Sequence, residues 1–289
     1  MKLLSYGLDH HMEPRLAFSV RGYAVDVMRA SLWMKENRNI TDYLSLPSTM
    51  KLALQDWTKS FGLLKNLEEA IQRINFDSQN IYGRPLALPE NDIAFFAPIP
   101  DPPCLRYFFA SESSATFLFG NTQTLLGHNQ EITQTGLSMR GEMGAVIAGK
   151  GVDLEIAGYC AVNNLFDAEI NPNEGLAHGI ATSLGPYLVT ADEMESHKLG
   201  NGFNLDMQIR KNGTVLSEGR FNKMDQSFPE MIKQALITRV QAGDIFCSGS
   251  PINESPDTIS NPGDLMEIEI QVLGTLVTPV KEEKNYAFS

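Results

Sequence analysis

Residues 139–167 read MRGEMGAVIAGKGVDLEIAGYCAVNNLFD. Two apolar runs, 143–148 and 156–162, flank a turn around 149–153. They predict two strands of one hairpin. The second run leads straight into Asn163 and Asn164. A strand ending there would set two amides at a sheet rim, where sites are often built. Glu142 heads the first run and Arg140 stands two residues before it, on the same strand face. Arg140, Glu142, Asn163 and Asn164 are therefore the first candidates for a polar site. Each has a plain alternative. Arg140 and Glu142 can be an ion pair along one strand. The asparagines can satisfy backbone groups at a strand end.

The chain has 289 residues, 43% hydrophobic and 20% charged, which suits a globular protein with a sizeable core. Its net charge of −12 argues against nucleic acid and against anionic membrane surfaces. No apolar stretch approaches the ~20 residues of a membrane span. Residues 1–15 hold too short an apolar run for a signal peptide. Cys104, Cys160 and Cys247 lie far apart without zinc spacing. Cys160 and Cys247 sit in apolar runs, so a reducing, cytoplasmic setting is expected.

Along the chain, 2–6 reads as a strand, and 15–20 with 23–27 as a hairpin. Helices are predicted over 28–37, over 48–62 with Ser48 as N-cap and Gly62 as its stop, and over 64–74. His10 and His11 are adjacent and would point apart in a strand, a poor basis for a metal site. Prolines crowd 82–103, a connector that predicts a small N-terminal domain (1–94) and a larger one (95–289). Beyond it, 116–119 reads as a strand. Residues 205–211 and 214–220 form a hairpin about Asn212-Gly213. A helix over 227–240 carries a capping-box signature in Ser227 and Glu230. Residues 245–248 and 265–272 read as further strands. The fold expected is α+β and mainly β.

At this point GEMGAVIAGKG, AGYCAVNN, SLGPYLVT and GDIFCSGSP, in that order, resemble the fumarylacetoacetate hydrolase superfamily. The opening LLSY…RLAFSVRGYAVDV and the closing PGDLMEIEIQVLGTLVTPV are similar to its ends. The resemblance implies a small N-terminal α+β domain, a C-terminal domain of mixed β-barrel or sandwich form, and a homodimer. The apolar segment 107–119 also suggests an interface, unless it fills the core of one chain. The resemblance further implies an enzyme on β-dicarbonyl compounds or oxo-acids, in which carboxylates hold a divalent metal that acts as a Lewis acid.

Several positions depart from that pattern. Glu142 matches the second of two strand acids, but Arg140 stands at the first. Asn163-Asn164 stands where the family has Asn-Asp. Tyr107, Phe109 and Ser114 fall in the register of an acid, an aromatic hydroxyl and a histidine. Leu176 falls where a lysine is usual, and Glu112 and His178 are the nearest substitutes. The reading is thus of a divergent hydrolase or lyase on a small oxo-acid or dicarbonyl compound. The alternative is an inactive relative that binds a small acid or a protein. Arg140, Glu142 and His178 are the candidate catalytic residues. Asn163, Asn164, Tyr107, Ser248, Gly249 and Ser250 are the candidate substrate contacts, the last three as a loop whose N–H groups can hold an oxyanion. Glu142 is the one ligand kept for a metal, so no cofactor, or a weakly bound Mg²⁺ or Ca²⁺, is expected.

Overall fold

The structure, a computed structural model, describes residues 1–109, 116–167, 169–170, 179–252 and 258–281. Its first strands are β1 (Lys2–Gly7), β2 (Arg15–Val20) and β3 (Tyr23–Asp26). They are followed by β4 (Leu105–Phe109), β5 (Thr116–Phe119), β6 (Leu137–Lys150), β7 (Asp153–Asp167) and β8 (Ala181–Thr190). The last are β9 (Asp206–Lys211), β10 (Thr214–Arg220), β11 (Ile245–Cys247), β12 (Leu265–Ile270) and β13 (Gly274–Pro279). The main sheet runs from Ala87–Pro89 at one edge through β3, β2, β1, β8, β7, β6, β11 and β4 to β5. It is mixed, because β11 and β4 pair in parallel while its other long strands are antiparallel. A second antiparallel sheet has the order β10, β9, β12, β13. Neither sheet closes into a barrel.

Side-chain alternation gives the main sheet two faces. One face, with Met143, Ala145, Ile147, Tyr159 and Ala161, packs on Met207, Ile209, Ile268 and Ile270 of the second sheet. The other, with Val146, Ala148, Cys160 and Val162, packs on helices α1 (Val27–Arg38), α2 (Met50–Gln55) and α3 (Trp57–Ile71). The result is a three-layer arrangement, α+β with strands dominant, as the sequence predicts.

Helix α1 starts where Asp26 caps it, its carboxylate accepting the Arg29 N–H at 2.8 Å. The same buried carboxylate accepts Arg15 Nε at 2.6 Å and the Tyr6 hydroxyl at 2.9 Å. Gly62 does not stop a helix. The break falls at Asp56, and α3 runs through Gly62 to Ile71. Trp57, Ser60, Leu64, Leu67 and Ile71 form one buried stripe. That stripe outweighs the roughly 1 kcal/mol that an interior glycine costs. The N-cap of α2 is Thr49, not Ser48. The helix α4 (Phe228–Ala235) carries the predicted Ser227–Glu230 capping box but ends before 240. Asn212 and Gly213 have φ of 52° and 76°, the type I′ geometry expected of that turn.

Candidate active site

β6 and β7 pair from Leu137 opposite Asp167 to Lys150 opposite Asp153. The predicted strand end at Asn163 is therefore corrected: β7 continues to Asp167, and both asparagines are fully buried inside the sheet. Continuous pairing on both sides, with β6 and with β8, carries the strand past the amides.

Arg140 stands opposite Asn164, and Asn164 opposite Thr182. Glu142 stands opposite Val162, so these residues share the face that packs under the helices farther along the strands. Asn163 points to the other face. Its Nδ2 lies 3.4 Å from Thr278 Oγ1, and Thr278 donates to Ser183 Oγ at 3.0 Å. The adjacent amides thus belong to different layers.

Glu142 is 1% exposed. Its Oε1 accepts Nδ2–H of Asn164 at 3.0 Å, and its Oε2 accepts the Gly249 backbone N–H at 3.0 Å. Burial pushes its carboxyl above the ordinary range, against the pull of Arg140 and of the two hydrogen bonds. Arg140 is half-buried, with its guanidinium 4.6 Å from the Phe166 ring centre. Burial lowers its pKa and the Glu142 charge opposes that. The guanidinium keeps its proton in any case.

Tyr107 is fully buried on the same side, in parallel register with Cys247, and its hydroxyl hydrogen-bonds Thr182 Oγ1. Burial pushes the Tyr107 phenol well up. It does the same to the Cys247 thiol, with the Glu142 charge adding to the effect. Ser248 Oγ accepts the Met143 N–H at 3.1 Å and donates to the Gly249 carbonyl at 2.6 Å. Ser250 Oγ accepts the Ile252 N–H at 3.2 Å. The Gly249 N–H is thus turned to Glu142, and the Ser248 hydroxyl to the loop's own backbone.

The structure gathers Arg140, Glu142, Asn164, Tyr107 and Gly249, and separates Asn163 from them. His178, Glu112, Ser114 and Leu176 lie outside the described residues, as does the Phe109 side chain. Sequence reasoning missed Thr182; the signal was its place one residue into the strand opposite Asn164. It also missed the buried pair Arg106–Asp244, 2.8 Å apart and each 1% exposed, on the other face of the sheet.

The arrangement offers a fixed positive charge beside a carboxyl that burial disposes to hold a proton. Its described residues do not fit a divalent metal. Among the described residues no group of three or more His, Cys, Asp or Glu side chains is placed to hold one. Both Glu142 oxygens already accept N–H groups.

The model of the fumarylacetoacetate (FAA) hydrolase C-terminal family matches residues 106–281. A 2-dehydro-3-deoxy-D-arabinonate dehydratase of Saccharolobus solfataricus is 32% identical over 107 residues, 35% of this chain and 34% of that protein. A maleylpyruvate hydrolase of Aquipseudomonas alcaligenes is 32% identical over 101 residues, 35% of this chain and 32% of that protein. The matched segment spans about a third of each of these curated relatives. The solved maleylpyruvate hydrolase of Sphingobium.sp SYK-6, in complex with manganese (II) ion and pyruvate, superposes with a TM-score of 0.70 at 16% identity. That superposition covers 98% of this chain and 100% of the other, and it shows the shared fold. With the family model covering 106–281 and the fold matching from end to end, the chain belongs to the fumarylacetoacetate hydrolase family.

Proposed function

We propose that this chain is an enzyme that processes a small oxo-acid or β-dicarbonyl compound, as a hydrolase or lyase. The observation that carries this is the placing of half-buried Arg140 with buried Glu142 and Asn164 on one face of the β6–β7 pair. A guanidinium grips a carboxylate or enolate through two parallel hydrogen bonds. Glu142, held by Asn164 and Gly249, keeps its proton to higher pH than a free carboxyl and can pass it to or from a bound enol. The names of the matched relatives, a dehydratase and a hydrolase of oxo-acids, support the substrate class. His178 remains a candidate acid or base in this reading.

A second reading, an inactive relative that binds a small acid, is favoured by one feature. Tyr107 is buried against the site and satisfied by Thr182. Turnover of a panel of acylpyruvates and 2-oxo acids separates the two readings, because only the first expects a product.

Arg140→Ala tests the anchor. Pyruvate binding, followed by calorimetry, is expected to weaken by about 1.5–3 kcal/mol, the worth of a charged hydrogen bond. Lost thermal stability with unchanged binding would show that Arg140 only pairs within the sheet.

We also propose a homodimer. Phe119 is 56% exposed and Ile237 is 89% exposed. The Arg106 head group lies 5.7 Å from the Phe119 ring and bonds to Thr238, the residue that follows Ile237 in the chain. The free cysteines support a reducing compartment such as the cytoplasm.

A further inference from the structure

The groups around Glu142 are those of an anion site. Asn164 turns an N–H toward it, Gly249 turns another, and Arg140 supplies a positive charge from the same strand face. The neighbouring Tyr107 hydroxyl is engaged with Thr182 Oγ1, and the Cys247 thiol is fully buried on the strand paired with it. Mg²⁺ and Ca²⁺ need at least six oxygen ligands, with carboxylates among them for affinity. A divalent ion at Glu142 would instead meet two N–H donors and a guanidinium that cannot release its proton. The solved maleylpyruvate hydrolase is in complex with manganese (II) ion and pyruvate. The donor set here points to a different arrangement.

We infer that this site works without a divalent cation, the fixed charge of Arg140 standing in for one beside a bound oxo-acid anion. The identity of the anion rests on the functional reading above; the inference about the metal rests on the donor set among the described residues.

The test uses the full-length protein, stripped with a chelator and then titrated with Mn²⁺ alone while free Mn²⁺ is followed by electron paramagnetic resonance. The expected result is no site tighter than roughly 1 mM, the weak end for oxygen-ligand sites. A site in the micromolar range overturns the inference. Pyruvate is then titrated by calorimetry with and without Mn²⁺. Equal affinity in both supports the inference, and a tenfold or greater gain with Mn²⁺ overturns it. Absence of pyruvate binding in both titrations sinks the oxo-acid reading, while the Mn²⁺ titration still judges the metal. Arg140→Glu combined with Asn164→Asp would turn the donor set into carboxylates. It is expected to tighten Mn²⁺ binding at least tenfold and to abolish metal-free pyruvate binding. If that double variant fails to fold, the wild-type Mn²⁺ titration decides.

Discussion

At the scale of single residues, His128 shows how burial becomes a pH dependence. Its Nδ1 accepts the Val277 backbone N–H at 3.2 Å, and the Phe95 ring meets it edge-on at 5.0 Å. Burial lowers its pKa from 6.5 to about 4, against the pull of a hydrogen bond to the Thr275 backbone. Between those two values the unfolded chain binds a proton there and the folded chain does not. Stability therefore falls as pH drops from above 6.5 toward 4. The contribution lost between pH 7 and pH 5 is about 2 kcal/mol from this one group. Urea unfolding at both pH values, in the wild type and in His128→Gln, measures it. The variant is expected to lose that much less stability on acidification; equal losses in the two proteins would acquit His128. Glu142 and Asn164 show residue-scale design of another kind, because each satisfies the other inside the sheet where an unpaired polar group would be costly.

At the scale of elements, two glycines lead to opposite expectations. A Cβ on Gly158 would lie 2.2 Å from the Val189 carbonyl oxygen on β8. The backbones are that close where Gly158 pairs with Thr190 beside an irregular step in the ladder. Gly158→Ala must push β7 from β8, at a cost on the order of 3 kcal/mol. Gly62, in the interior of α3, has no atom within 4 Å of the same construction. Gly62→Ala is expected to stabilise the protein by about 0.5–1 kcal/mol through helix propensity alone. Thermal unfolding of both variants should move the melting temperature down for the first and up for the second. A neutral Gly158→Ala would mean that the two strands can part without loss.

At the scale of the whole molecule, β1 pairs with β8, so the strands of residues 2–26 share one sheet with β6, β7 and β8. The division at residue 95 stands as a proposal about chain organisation, with the helices α1–α3 on one side and the candidate site on the other. The described aromatics of the segment 107–119 divide between core and surface. Tyr107 and Phe108 are buried, and Phe119 is largely exposed. Together with Leu236 and Ile237 it leaves apolar surface that a second copy would cover. Light scattering is expected to give twice the 32.0 kDa chain mass. Ile237→Asp should shift the protein toward monomer, and a wild-type monomer in dilute solution would refute the assembly.

Local chemistry determined much of this protein. The apolar runs 143–148 and 156–162 made the central hairpin legible, Asn212-Gly213 fixed the turn between β9 and β10, and Ser227 with Glu230 placed a helix start, because each signal acts within a few residues. Four motifs in order made the family legible, and strand periodicity made legible the placement of Arg140 and Glu142 on one face. The partners across strands were decided only in three dimensions. No local rule says that β7 runs past Asn163 and Asn164, that Asn164 meets Glu142 while Asn163 meets Thr278, or that Gly249 closes on Glu142 from 107 residues away. Register between strands follows from the burial of whole faces, and burial is a property of the packed layers rather than of any stretch of chain.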